Sequence, residues 1–297
     1  MALAASLRPR LVFRTDLAPH VHFPAEPRER IAIASYPFRD FIANPTGAAG
    51  AGKIDLKDFA AHCGEKLGNN KIEPWNRHFR SADAKYLEAF RLAVEKARGA
   101  VINIAVDGNH SPYSSDAAER DQAVAFSKKW IDIAASIDSP SVRTNIPEFK
   151  GAKPDLERVA DALKRVAEYA ATKNVVVHLE NDNPISEDPF FLVQVIEKVK
   201  SPWLHSNPDF CNTLASGDAE YAYKGIAAMF EHAYGICHVK DREANDKGQI
   251  FTVDMERTFG ILKRAKYRGY CSMEFDAPGD PYAGTKALIK QTLQYLG

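Results

Sequence analysis

The sequence predicts a (β/α)8 barrel, a closed parallel sheet ringed by helices. Three observations carry this reading. Eight short apolar runs alternate with eight amphipathic stretches from residue 30 onward, and strict alternation calls for parallel strands joined by crossover helices. No GxGxxG follows the first run and no GxxxxGK[ST] occurs, so the open nucleotide-binding sheets lose their usual marker. Glu180, Asp209, His238 and Glu274 stand at or near the ends of the last four runs, and the C-terminal strand ends are where such a barrel places its chemistry.

Residues 1–29, with prolines at 9, 19, 24 and 27, read as an irregular leader, and 30–297 as one barrel domain. RIAIASYPF (30–38) is the first strand. The Gly/Ala-rich loop 40–53 after it is a candidate cover for the barrel mouth. Helix 54–68 has apolar residues at 56, 59, 60, 63 and 67, which is helical spacing. NKIEPW (70–75) is the second strand, and the helix over 81–99 opens at Ser81 and stops at Gly99. AVINIAVDG (100–108) precedes the longest amphipathic stretch, 116–137. SVRTNI (141–146) leads to helix 153–174, with Pro154 near its start and Asn174 at its end. The last four strands are NVVVHLEN (174–181), WLHSNPD (203–209), YGICHVKD (234–241) and YCSMEFD (270–276). Their helices occupy 188–200, 217–232, 254–268 and 280–296.

A chain of 297 residues suits a single barrel, and its 45% hydrophobic content suits a large core. The 39 basic and 39 acidic residues cancel, without a like-charge block, which argues against nucleic acid or an anionic membrane as partner. No run approaches the ~20 apolar residues of a membrane helix. Cys63, Cys211, Cys237 and Cys271 lack CxxC spacing and read as buried free thiols of a reducing compartment, hence a cytoplasmic protein. MALAASLRPRLVF has no charged n-region and, as written, is not a secretory signal. Were it the remnant of a longer export signal, the location would be periplasmic. A homo-oligomer is allowed.

The four polar strand ends are separated by 29, 29 and 36 residues, about one strand, loop and helix each. Period-two alternation puts His178 with Glu180, Asn207 with Asp209, His238 with Lys240, and Ser272 with Glu274 on single faces. Barrel interiors filled only for packing favour branched apolar residues, so four polar faces mark a site. Three carboxylates and an imidazole suit Mn2+, Mg2+ or Co2+; Zn2+ would more often recruit more nitrogen or sulfur. Such an ion polarises a carbonyl and stabilises the enediolate left by proton removal.

The segments LEN (179–181), PD-x-x-N (208–212), HVKD (238–241) and MEF (273–275) resemble the sugar phosphate isomerase/epimerase family, with its xylose-isomerase-like TIM barrel. The resemblance implies that Glu180, Asp209, His238 and Glu274 bind the metal. It also implies that Glu180 and Glu274 form the acid/base pair. Asn212 stands where many members carry a histidine, and Arg242 takes the place of the arginine beyond the metal-binding histidine.

Taken singly, each residue has an ordinary explanation. The glutamates would be strand-end salt bridges, His238 a hydrogen-bonded core histidine, and Asp209 a turn or helix cap. All must hold together for the site to vanish. Lys240 either steadies an oxyanion or pairs with Asp241 or a glutamate. His178 and His205 read as lower-layer groups. Glu73, Trp75, His110, Asn145 and Phe38 follow or end the first four strands and are expected around a carbohydrate substrate, with Asn212, Lys240 and Arg242.

The leading expectation is a metal-dependent isomerase or epimerase of a ketose or related polyol. The alternative is a dehydratase or lyase on a keto-sugar or keto-inositol, which shares the first half-reaction. An abasic-site endonuclease-like hydrolase and a sugar-binding module with a decayed site fit the residues less well.

Overall fold

The computed structural model describes residues 18–43, 52–149, 151–245 and 247–297. Residues 1–17 of the expected leader and 44–51 of the expected mouth-covering loop lie outside them.

The strands are β1 (Ile31–Ala34), β2 (Lys71–Glu73), β3 (Ala100–Val101), β4 (Ile104–Val106), β5 (Ser141–Thr144), β6 (Val176–Glu180), β7 (Leu204–Asn207), β8 (Ile236–Val239), β9 (Arg242–Ala244), β10 (Ile250–Thr252) and β11 (Tyr270–Met273). The helices are α1 (Phe59–Leu67), α2 (Ala84–Lys96), α3 (Ala117–Ser136), α4 (Leu156–Lys173), α5 (Pro189–Val199), α6 (Ala219–Phe230), α7 (Met255–Arg264) and α8 (Pro281–Leu296). β9 and β10 form an antiparallel hairpin outside the barrel.

The barrel wall consists of two parallel arcs, β3-β2-β1-β11-β8 and β4-β5-β6-β7. Isolated parallel bridges join them: Trp75–Ala105 at one seam, Ser206–Ala233 and Asp209–His238 at the other. The expected third strand is split into β3 and β4. Its first half pairs with β2 and its second with β5. Between them the Asn103 side chain is buried and donates to Glu73 Oε1 at 2.7 Å.

The helices begin where the strands end, and aspartates cap them. Asp83, Asp116, Asp155, Asp188, Asp218, Asp254 and Asp280 each accept a backbone N–H of the first turn of α2 to α8. For α2 this corrects the expectation of a Ser81 cap: Ser81 hydrogen-bonds to Asp83, which holds the helix. Asn174 closes α4 in the left-handed conformation, φ 54°.

Most buried apolar side chains lie between wall and helices. Inside the barrel a small apolar floor of Ala32, Ile102 and Ile236 packs with Ala100 and Tyr270. Phe23 meets the Tyr234 and Tyr270 rings at 5.2 and 6.0 Å. Above the floor the interior turns polar. All four cysteines are buried and free. No helix among the described residues is long and apolar enough to cross a membrane.

Candidate metal centre

Glu180 ends β6, His238 lies within β8, Glu274 directly follows β11, and Asp209 follows β7 across Pro208. All four are buried, and one ligand atom of each lies within 4.8 Å of all the others. His238 Nδ1 stands 2.7 Å from Glu180 Oε1 and 3.1 Å from Glu274 Oε2.

Asp209 caps the turn after β7 with one oxygen and leaves the other facing the cluster. Its Oδ1 accepts the backbone N–H of Cys211 at 2.8 Å and of Asn212 at 2.7 Å. Among the described residues its Oδ2 is buried without a hydrogen-bond partner, and Lys240 Nζ approaches only to 3.6 Å. Asn181 clamps the same peptide, accepting from Asp209 N at 2.8 Å and donating to its carbonyl at 3.1 Å. A buried acceptor left open costs about 1–3 kcal/mol, which a cation would recover.

The electrostatics agree. Burial, assisted by Glu180 and Glu274 against the pull of Lys240, pushes the Asp209 carboxyl up to about 8. Burial disfavours a charged His238, but Glu180, Glu274 and Glu73 outweigh it and raise its pKa. Burial also works against an ionised Glu274, yet His238 and Lys240 hold it below the usual carboxylate range. The cluster carries more negative charge than its own side chains neutralise. Hard oxygens, one imidazole and an orphaned carboxylate oxygen therefore fit a divalent ion.

A cavity of about 350 Å3 opens over the cluster and is lined by Glu180, Glu274, Lys240, Asn212 and Trp75 among the expected residues. Lys240 Nζ donates to Asn212 Oδ1 at 2.7 Å and to Glu243 Oε2 at 3.0 Å, and lies 3.6 Å from Glu274. Asn212 Nδ2 reaches Glu180 Oε1 at 3.3 Å. Trp75 Nε1 donates to Asp107 Oδ2 at 2.7 Å.

Other expected substrate contacts lie elsewhere, each for a physical reason. Glu73 is enclosed below His238, whose Nε2 is 3.0 Å from both of its oxygens. Phe38 is fully buried against Phe59 and Tyr282. His110 pairs with Glu119 at 3.1 Å. Asn145 exchanges hydrogen bonds with the Gly108 backbone, and both border a separate small cavity beside α3 and α4. Arg242, its side chain 48% exposed, pairs with Asp241 on the hairpin. His178 and His205 lie in the lower layer, against Gly235 and Tyr234.

Arg143, Asp182, Tyr36, Arg77 and Glu243 also line the cavity without a cue in the sequence that marks them as site residues, and Asp276 joins them from the polar face of the last strand. The nearest to a cue is at Arg143, a lone arginine inside SVRTN, on the same strand face as Asn145. Its Nε lies 2.8 Å from Glu180 Oε2, off the hydrogen-bonding direction, and its Nη1 lies 2.6 Å from Asp107 Oδ1.

The model of the xylose isomerase-like TIM barrel family matches residues 64–296. The chain belongs to that family. Solved structures show the same fold at low identity. D-allulose 3-epimerase from Methylomonas sp., in complex with D-allulose, has TM-score 0.67 and 14% identity over 92% of this chain and 97% of that one. 3-Keto-D-glucoside 4-epimerase from E. coli has TM-score 0.66 and 15% identity over 90% and 98%. A xylose isomerase-like TIM barrel protein from Mycobacterium smegmatis, in complex with magnesium, has TM-score 0.67 and 15% identity over 90% and 98%. No curated protein matches the sequence.

Proposed function

We propose that this chain is a divalent-metal-dependent isomerase or epimerase of unphosphorylated keto-sugars or related polyols. The observation that carries the reading is Asp209 Oδ2, a buried acceptor left open within a cluster completed by Glu180, His238 and Glu274. Those four residues would hold the ion. Bound there, it supplies Lewis acidity that makes a proton beside a carbonyl removable.

Glu180 and Glu274 stand on β6 and after β11, on either side of the β7–β8 seam. One takes the proton from carbon and the other returns it on the opposite face, which inverts the centre. Arg143 holds Glu180 in place, Lys240 holds Glu274, and both line the space where substrate oxygens would lie. The likeness to the two sugar epimerases supports the reaction class, and the magnesium complex supports the ion.

Charge argues for an unphosphorylated substrate. The cavity presents six carboxylates against three cations. Arg143 and Lys240 are already ion-paired, and Arg77 lies over the Trp75 ring. Among the described residues nothing there resembles a phosphate cradle.

The test is turnover of a keto-sugar panel in heavy water with Mn2+. Deuterium should enter at the carbon beside the carbonyl, and Glu180→Gln and Glu274→Gln should abolish incorporation. Label-free turnover, or undiminished exchange in both variants, would sink the reading.

A second reading follows from Asp182, an exposed carboxyl on the cavity wall two residues past Glu180, whose charge raises its pKa. A carboxyl of that strength can protonate a departing hydroxide, giving a dehydratase. Product mass separates the two: loss of water against no change.

A further inference from the structure

Glu73 has no part in the proton transfer, yet it is 1% exposed, enclosed among polar side chains of the barrel wall. Asn103 Nδ2 donates to its Oε1 at 2.7 Å, Ser272 Oγ to its Oε2 at 2.6 Å, and His238 Nε2 is 3.0 Å from each oxygen. These donors come from the β3–β4 break, β11 and β8. Burying a carboxylate this deeply is costly unless every lone pair is used. Here three strands are arranged to use them.

We infer that Glu73 is a positioning residue for the metal site: it accepts the Nε2 proton of His238 and so presents Nδ1 as the ligand nitrogen. The inference rests on the metal reading above. Nδ1 is the nitrogen facing Glu180 and Glu274, at 2.7 and 3.1 Å. A ring held at its back by both oxygens of a fixed carboxylate can neither rotate nor switch tautomer, and it is a stronger donor at its front. Asn207 adds to this. Its Nδ2 lies 3.2 Å from Nε2 while its Oδ1 has no partner. Turning the amide over brings the acceptor to the Nε2 proton.

The split third strand acquires a purpose on this view. It lets the Asn103 side chain turn inward, where it donates both to Glu73 and, through its own oxygen, accepts from Ser141 Oγ at 2.7 Å. The carboxylate is thus tied to the β5 side of the wall as well as to β8 and β11.

The test is calorimetric titration of the chelated full-length protein with Mn2+, comparing wild type, Glu73→Gln and Ser272→Ala. Glutamine keeps the shape but sets an amide N–H against existing donors. Its Mn2+ affinity should fall about 10–100-fold, and Ser272→Ala, which removes one donor to Glu73, should lose less. In parallel, 15N spectra of the Zn2+-loaded wild type should show His238 coordinated through Nδ1 with Nε2 protonated. This second measurement needs no variant to fold. A folded Glu73→Gln with unchanged Mn2+ affinity overturns the inference, as does coordination through Nε2. A wild type that binds no divalent ion overturns the metal reading itself, and this inference with it.

Discussion

Arg143 bridges two carboxylates, with Nε 2.8 Å from Glu180 Oε2 and Nη1 2.6 Å from Asp107 Oδ1. Burial disfavours its charge, but Glu180 and Asp107 outweigh that and raise its pKa. Arg143→Met leaves two shielded carboxylates without their cation, a loss of about 3–5 kcal/mol. Arg143→Lys keeps the charge but not the planar fork. It should retain most of the stability while kcat/KM on the keto-sugar substrate falls at least about tenfold, or ~1.4 kcal/mol. Urea unfolding and steady-state kinetics check both. Unaltered stability in Arg143→Met would show that the bridge contributes nothing.

Metal should stabilise the fold. At a free ion concentration one hundred times Kd, linkage gives about 2.7 kcal/mol, or roughly 5 °C in Tm for a chain of this size. Asp209→Asn keeps an acceptor for the Cys211 and Asn212 amides but weakens the open ligand. Its melting curve should respond far less to Mn2+. An equal response in the variant would place the ion elsewhere.

His78 predicts an acid-sensitive stability. Its Nδ1 lies 2.9 Å from Ser35 Oγ, its Nε2 is buried without a partner, and burial followed by Arg39 lowers it to about 4. The unfolded chain takes up a proton near 6.5, which the folded chain refuses until about 4. Stability from this group is therefore complete above 6.5 and is lost as pH falls toward 4, by up to about 3 kcal/mol. Urea unfolding at pH 7.5 and 5.0 measures the slope. His78→Asn should flatten it, and parallel curves for the two proteins would refute the assignment.

Gly235 is required by its neighbour. A Cβ there would lie 2.7 Å from His178 Cε1 and 2.8 Å from Nε2, and His178 is fully buried. Gly235→Ala should cost about 1–3 kcal/mol through overpacking. Mn2+ affinity should be unchanged, because the clash lies in the layer beneath the quartet. Adding His178→Ala should restore part of the loss.

The barrel was legible because parallel strands buried on both faces are written as unbroken Val/Ile-rich runs, such as VVVHLE, and because turn formers and aspartates punctuate them. The quartet was legible because each member stands at or near a strand end, at intervals of 29, 29 and 36 residues. What stayed hidden depends on distant partners. AVINIAVDG reads as one strand, and only Glu73, thirty residues earlier, explains why it breaks at Asn103. Glu73 itself looks like a mouth residue because it stands two residues before Trp75; Trp75 lines the cavity, whereas Glu73, the last residue of β2, is buried beneath His238. Arg143 had no local cue to Asp107, 36 residues away.

The seam between β7 and β8 gives the site a mechanical meaning. Glu180 and Asp209 belong to one arc of the wall, His238 and Glu274 to the other, and the Asp209–His238 bridge is one of two that fasten them there. An ion gripped by all four would act as a rivet through two staves. Without it, the two isolated bridges are the backbone pairing that spans that joint, while each arc has its own ladder. The same atoms that would activate the substrate would also hold the vessel shut around it.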